Sequence, residues 1–578
     1  MSAVPPVKVP IGLQAQHWNT LTPDRCVLVV AHHVTSLLRL LDVITVFDSD
    51  PRVQVVFSWN GSDPFHHGLH RLLDELGVVV IPWSQAIDTE FHLVIAANHG
   101  GLTEFSAPVV ILPHGAGYNK NSPGNRKPET GNRKPETGNR KPETGNRSVF
   151  GLAPEWLLYD GRPIADSLVL SHDEQLTRLA AITPSAAETA VVAGDPCYDR
   201  MVRSAHARSR YREALGVLPG QKLVTVCTTW WRRSLLGTWP SLFRELLACL
   251  PRDEYRVAAL IHPNIWHGHG PWQVHTWLAD CVRAGLIIIP PVEGWQSLLV
   301  SADLVVGDHG ATTCYAAGLG APVLLATFPD EDVATGSAAE VLGRTALRLN
   351  RHASLAHQVS AAITAPASGD AVRAMLTSCP GESATRLREL FYRHLRLPEP
   401  PTPPPVPMIP VHRATTPSTM DIRADHVVCR LGATDDEPTT VHRYPAEVLL
   451  DRANADHLDA AHLVAHEDHA SPALLDEAAV IIVADTPTTS AAEVALADAL
   501  RRHRGAALAV SRQGERCLAL SREGARAVLR CEDIGLGAAV LYERMTLGHN
   551  DEAFTVTIKA GPRTLNLVVE SLSGEAIA

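Results

Sequence analysis

Short unbroken runs of Val, Ile and Leu, each closed by Gly, Pro, His or Asn, recur along most of the chain. CVLVVAHH (26–33), VQVVFSW (53–59), GVVVIPW (77–83), FHLVIAANHGG (91–101) and VVILPHG (109–115) form a first set. Their apolar positions are contiguous rather than alternating, the pattern of strands buried on both faces of a parallel sheet. LHRLLDELG (69–77) has helical spacing and a terminal glycine between two of them. SLVLSHDE (167–174) predicts a strand followed by a helix opened by a Ser171-x-x-Glu174 capping box. A second set follows: LVTVCTTWW (223–231), YRVAALIHPN (255–264), GLIIIPPV (285–292), ADLVVGDHG (302–310) and APVLLATFP (321–329). The alternation predicts two α/β domains, residues 1–195 and 196–397, with VVAGDPCYDRM (191–201) crossing between them and TRLRELFYRHLRL (385–397) as a closing amphipathic helix.

The rest of the chain breaks the pattern. PEPPTPPPVPMIP opens a stiff linker (398–418), and residues 419–578 mix strands, a helix at 490–504 and Gly turns, predicting a small α+β domain with no motif. Within the first domain NRKPETG occurs three times without a mismatch, starting at Asn125, Asn132 and Asn139. Each copy carries Pro and Gly and nothing apolar to bury, so the segment 121–147 reads as a solvated loop produced by repeat expansion. A cationic lid over an anionic ligand is the sharper alternative.

Composition narrows the classes. The chain has 578 residues, 45% hydrophobic and 20% charged, with a net charge of −11. That balance argues against a nucleic-acid binder. Ten cysteines show no CxxC spacing, which predicts reduced thiols and a cytoplasmic protein. The opening MSAVPPVKVPIG lacks the apolar core of a signal peptide, and no apolar run is long enough to span a bilayer. Any membrane contact is expected to be peripheral, at the inner face.

Four loops follow strands directly, where ligands bind in open α/β sheets: PHGAGYNK, TTWWRRS, HPN and GDHGATT. In the first, Gly115 and Gly117 let the backbone pass close to a bound group, His114 supplies a base near neutral pH, and Lys120 a point charge for phosphate. In GDHGATT, Gly310 and Ala311 open a helix whose free amides suit a phosphate, with hydroxyls from Thr312 or Thr313, and Asp308 either holding the turn or touching the ligand. Arg232 and Arg233 are guanidinium candidates for the same phosphate, and at least one of them reads as a surface residue. His262 of HPN is a structural ring or a phosphate partner. His457, His462, His466 and His469 crowd the last domain. The last three share a helical face at metal-ligand spacing, yet a solvated helix face is the simpler reading.

The order His-Gly-x-x-x-x-Lys, then Gly194-x-Pro196-x-x-Asp199, Thr-Trp-x-Arg, His-Pro, an Asp-led strand–helix turn, and Gly381, Ala384 and Arg386 resembles the CDP-glycerol glycerophosphotransferases of teichoic-acid synthesis. It is also similar to the wider GT-B superfamily of nucleotide-sugar glycosyltransferases and UDP-GlcNAc 2-epimerases. The resemblance spans about two thirds of the chain. It implies a GT-B-like fold, two Rossmann-like parallel-sheet domains facing a cleft, with a nucleotide-activated donor held mainly by the second. It implies His114 as catalytic base, His262 on the donor phosphates, a polyol or glycan acceptor, and no metal or other cofactor. The turn 308–312 is closer to the Gly-Ala-x-Thr turn of lipid-linked glycosyltransferases, with Ala316 where those enzymes hold ribose with an acid. Three readings therefore stay open: polyol-phosphate transfer from a CDP-activated donor, nucleotide-sugar chemistry, and a non-catalytic nucleotide-binding protein.

Overall fold

The computed structural model describes residues 6–12, 15–63, 65, 68–121, 148–365, 369–413, 423–434, 436–448, 458–549 and 553–572. The NRKPETG copies and His457 lie outside them. The first lobe is a six-stranded parallel sheet: β1 (Arg25–Val30), β2 (Val53–Ser58), β3 (Leu93–Ala96), β4 (Val109–Ile111), β5 (Ser167–Leu170) and β6 (Ala190–Val192), in the order β2-β1-β3-β4-β5-β6. The run at 77–83, expected as a strand, forms only a single parallel bridge, Phe57 to Val80, outside β2. Every residue of β3, β4 and β5 is buried, as their unbroken apolar sequence requires.

The second lobe repeats the plan with β7 (Lys222–Thr228), β8 (Tyr255–Ile261), β9 (Ile287–Ile289), β10 (Leu304–Gly307), β11 (Val323–Leu325) and β12 (Leu347–Arg348), ordered β9-β8-β7-β10-β11-β12 and all parallel. This is the doubly wound order with a switch point between β7 and β10. The first lobe switches between β1 and β3. The loops after these strands are therefore the ones that line a crevice.

Local signals account for most helix ends. In the first lobe, α1 (Val34–Ile44) starts at His33, whose ring accepts the Ser36 amide while the Ser36 hydroxyl accepts the His33 amide. The helix α2 (Asp173–Ile182) is capped by His172, whose ring accepts the Glu174 amide. The Ser171 box expected there does not form, and the Ser171 hydroxyl is buried without a partner. Asp195 caps α3 (Pro196–Ser204) at the crossing between lobes. The closing helix, α6 (Ser383–Leu395), takes its N-terminal amides to Asp199: Gly381 and Ser383 N–H both donate to that carboxylate, as does the Ser383 hydroxyl. Its Leu387, Leu390, Phe391 and Leu395 pack in the core of the first lobe beside Val27 and Leu37. The linker that follows is not free: Ile409 is buried in the second lobe, where its carbonyl accepts the Tyr211 hydroxyl.

The last domain is a closed nine-stranded barrel rather than the α+β unit expected. Its strands are β13 (Ala424–Arg430), β14 (Thr439–Pro445), β15 (His462–His466), β16 (Val480–Val483), β17 (Leu508–Gln513), β18 (Arg516–Ser521), β19 (Arg526–Arg530), β20 (Phe554–Ala560) and β21 (Arg563–Leu572). The order is β13-β14-β20-β21-β19-β18-β17-β16-β15, closed by antiparallel pairing of β13 with β15. The helix expected at 490–504 is α7 (Thr489–Arg502). A second helix, α8 (Ile534–Thr546), buries Leu536, Ala538, Ala539 and Val540 in one core with Val464, Val480 and Val510. The histidines expected on a helix face are not on one: His462 and His466 are the ends of strand β15, and His469 lies in the turn after it, its ring bonding Glu447 at 2.7 Å. Among the described residues no group of three ligands could hold a metal ion, and no helix is long and apolar enough to cross a membrane.

One buried network joins the lobes. Arg39 of α1 donates to Asp195 at 2.7 Å, to the Tyr315 hydroxyl at 2.7 Å and to the Gly115 carbonyl at 3.0 Å. Tyr315 donates to the other Asp195 oxygen at 2.6 Å. Leaving one member of such a buried pair uncompensated costs about 3–5 kcal/mol. Arg39→Met is thus expected to lower the unfolding free energy, read from urea melts, by that amount, and Tyr315→Phe by about 1–3 kcal/mol. An Arg39→Met protein as stable as the wild type would show that the triad does not hold the lobes.

Candidate active site

Loops after strands of the two sheets meet. The loop after β4 carries His114 and Gly115; the turn after β10 leads into α5 (Ala311–Gly318). A Cβ at Gly115 would stand 3.5 Å from the Ala311 Cβ, so the two loops meet wall to wall. Beyond His114 the same loop is stitched to the second lobe. Lys120 pairs with Val333 in an antiparallel bridge, Asn121 N–H donates to the Asp332 carbonyl and Ala334 N–H to the Asn119 carbonyl, both at 2.9 Å. Gly117, with φ of +84°, lies so close to Gln175 that a Cβ there would come within 2.3 Å of its Nε2. That glycine is needed for the turn that delivers Lys120.

His114 is oriented by its backbone contact. Its Nδ1 lies 3.0 Å from the Ala97 carbonyl. A carbonyl cannot donate, so Nδ1 carries the proton and the neutral ring presents a bare Nε2 lone pair. Burial and the neighbouring charges of His33, Arg39 and Lys120 push its pKa down to about 3, against the pull of the Ala97 bond. His262 is set the opposite way. It caps α4 (Pro263–His269), its Nδ1 accepting the Asn264 amide at 3.0 Å, so Nε2–H is the free edge and a donor. Burial, then Lys120, His33 and His114, hold it well below its usual pKa. His33 and Lys120 act on both rings, and the His33 and His114 rings stand 5.3 Å apart. Lys120 itself is lowered by burial and supported by Asp308 and Asp332.

The other candidates divide. Asp308 is consumed by the turn: Oδ2 accepts from Thr229 N–H and hydroxyl, both at 2.8 Å, and from Leu235 N–H at 3.0 Å, and Oδ1 from Gly310 N–H at 3.1 Å. It shapes the site and has no oxygen to spare. Gly310 is packed against Thr229, where a Cβ would come within 2.6 Å of its Cγ2. Ala311 and Thr312 stay half-buried at the start of α5. Thr313 is turned into the core, with its hydroxyl buried, unpartnered and against Gly307, so it is not brought to the cleft. The helix starts two residues before the expected Thr313, and that shift rotates the threonine inward. Arg232 is exposed, while Arg233 pairs with Glu331 and Asp332. The residue before them, Trp231, is held at φ of +89°, a strained conformation for a bulky side chain.

Several contributors escaped sequence reasoning. His33 ends the first strand segment, and its Nε2 lies 3.8 Å from Asp63. His99 and His309 are buried beside the cleft, pushed down to about 3 and about 4. The doubled histidine at 32–33 was a visible signal for the first; nothing local marks Arg39, Asp195 or Tyr315.

The two lobes define a pair of Rossmann-like domains meeting at a cleft. No family model matches the chain, and no curated protein does. Among solved structures it is similar to the wall teichoic acid polymerase TagF, at 12% identity and a TM-score of 0.41, covering 65% of this chain and 90% of that one. It is also similar to Anabaena Alr3699/HepE in complex with UDP and glucose, at 12% identity, 64% and 99% coverage and a TM-score of 0.36. A third is UDP-GlcNAc 2-epimerase from Neisseria meningitidis bound to UDP-GlcNAc, at 12% identity, 64% and 99% coverage and a TM-score of 0.40. At such low identity and score, the chemistry has to come from this chain's own side chains.

The buried histidines fix a pH response. Their folded pKa values lie below the unfolded value of about 6.5, so below that pH the unfolded chain takes up protons that the folded one refuses. Stability is full above pH 6.5 and falls as pH drops, by up to about 1.4 kcal/mol per unit for each such ring. The melting temperature is expected to fall steadily between pH 6.5 and 5. A flat profile over that window would mean that His33, His99 and His114 are not held neutral.

Proposed function

We propose that the chain is a GT-B-type transferase that binds a nucleotide-activated donor between its lobes. It moves a polyol phosphate, glycerophosphate-like, from a CDP-linked donor to an acceptor hydroxyl, the chemistry of cell-envelope polymer synthesis. The observation that supports this reading is a pair of buried rings with opposite free edges: His114, neutral with a bare Nε2, in the loop after β4, and His262, an N–H donor, in the loop after β8.

His114 Nε2 takes the proton of the acceptor hydroxyl as its oxygen attacks the donor's β-phosphorus. The new P–O bond forms while the bond to the bridging oxygen breaks, and CMP leaves with that oxygen. His262 Nε2–H, the Lys120 ammonium and the Ala311 and Thr312 amides stabilise the charge on the phosphoryl oxygens. Arg232, exposed at the rim, is a further phosphate contact in this reading. The Gly310-Ala311 turn supports a second reading, in which a nucleotide sugar fills the same pocket and attack falls on the anomeric carbon. A third reading, nucleotide binding without reaction, shares the pocket.

Calorimetric titration with CDP-glycerol, UDP-glucose and GDP-mannose separates the donors, and CMP release measures turnover. His114→Gln is expected to keep donor affinity and to lose turnover by about 10²–10⁴-fold. A variant that turns over as fast as the wild type rules out this base. Lys120→Met retains the backbone bridge to Val333 and should weaken donor affinity roughly 10- to 100-fold through one lost charge-assisted bond. Unchanged affinity would remove Lys120 from the phosphate side.

A further inference from the structure

The opposite end of the second sheet holds a charge that the cleft does not use. Arg256 is the second residue of β8, the strand whose far end leads to His262. It is only 3% exposed, and its Nε and Nη1 are buried without an acceptor. A small cavity lies beside it, lined by Leu250, Arg252, Tyr255, Gly285 and, from the barrel, Pro445. Its free volume is about 10 Å³ for the centre of a water-sized sphere, about the room that one water takes.

Every carboxylate at this junction is already matched. Arg252 bonds Asp425 at 2.7 Å, and Arg443 of the barrel holds Asp253 in a fork at 2.8 and 2.5 Å. Asp533 lies between Arg443 and Arg563, and Glu254 faces His442. Asp425 Oδ1 is buried and unpartnered, yet its charge already serves Arg252. Arg252, Arg443 and Arg563 each pair with a carboxylate, and of the four arginines only Arg256 has none in ion-pair reach among the described residues. Burial and the nearby Arg252 pull the Arg256 pKa down to about 10, with no acid acting on it. A guanidinium keeps its charge at neutral pH and cannot stay buried and uncompensated.

The geometry points to a built site for a single small anion of halide size, chloride, held by Arg256 in the seam between the second lobe and the barrel. Water could fill the space, but it would bring no negative charge to the Arg256 guanidinium, whose Nε and Nη1 have no acceptor.

Thermal melts of the full chain test this, with chloride exchanged for gluconate at constant ionic strength. The wild-type melting temperature is expected to rise saturably, by about 1–3 °C at tenfold over half-saturation, and Arg256→Met to lose that rise. An equal chloride response in both proteins, or none in the wild type, overturns the site. Should Arg256→Met fail to fold, crystals of the wild-type protein grown in bromide decide. An anomalous peak in hydrogen-bond contact with the Arg256 guanidinium supports the proposal; a cavity without one, or filled by water alone, refutes it.

Discussion

The distance between the two walls of the cleft depends on one buried contact, the Arg39–Asp195–Tyr315 triad. Asp195 is fully buried, Arg39 nearly so, and the carboxylate holds Arg39 of the first lobe with one oxygen and Tyr315 of the second with the other. A buried ion pair is stabilising only when its remaining donors and acceptors are also satisfied. Here they are: the carboxylate also caps α3, and the second guanidinium nitrogen reaches the Gly115 carbonyl. The residue next to His114 is therefore tied to the same cation that ties α5 to the first lobe. Chain crossing, helix start and histidine loop are positioned by one network.

What the network positions is an electrostatically one-sided space. Lys120 supplies positive charge, α5 contributes its N-terminal amides, and Asp308, the obvious acid, is spent on Thr229, Leu235 and Gly310. The rings around it are kept neutral by burial and by one another. Neutral imidazoles can be either donor or acceptor, and here backbone partners decide which. Ala97 makes His114 an acceptor at its free nitrogen, and Asn264 makes His262 a donor. Two identical side chains acquire opposite functions from a carbonyl and an amide.

The strands of both lobes were legible because their signal is local: contiguous apolar residues buried on both faces. His114, His262 and Lys120 were legible for the same reason, since loops after such strands line the crevice. The contacts that join the lobes were not. Arg39 and Tyr315 stand 276 residues apart, and no window holds both. Thr313 was misread because the helix begins two residues sooner than its threonines suggest. The histidines of the barrel were misread because a four-residue interval fits a helix turn and also two steps of a strand. His462 and His466 took the strand. Barrel closure through β13 and β15 is a pairing that the apolar runs do not specify.

The NRKPETG copies enter the chain at a guarded point. Immediately before them Lys120 and Asn121 are pinned to the second lobe, and just after them Val149 bridges back to Asn121 while Phe150 N–H bonds the Lys120 carbonyl. The two ends of the insertion are thus fastened to each other beside the cleft. A change in the number of seven-residue units would thus enter between two points that are already held together, where each doubling of a closed segment costs only about 0.6 kcal/mol.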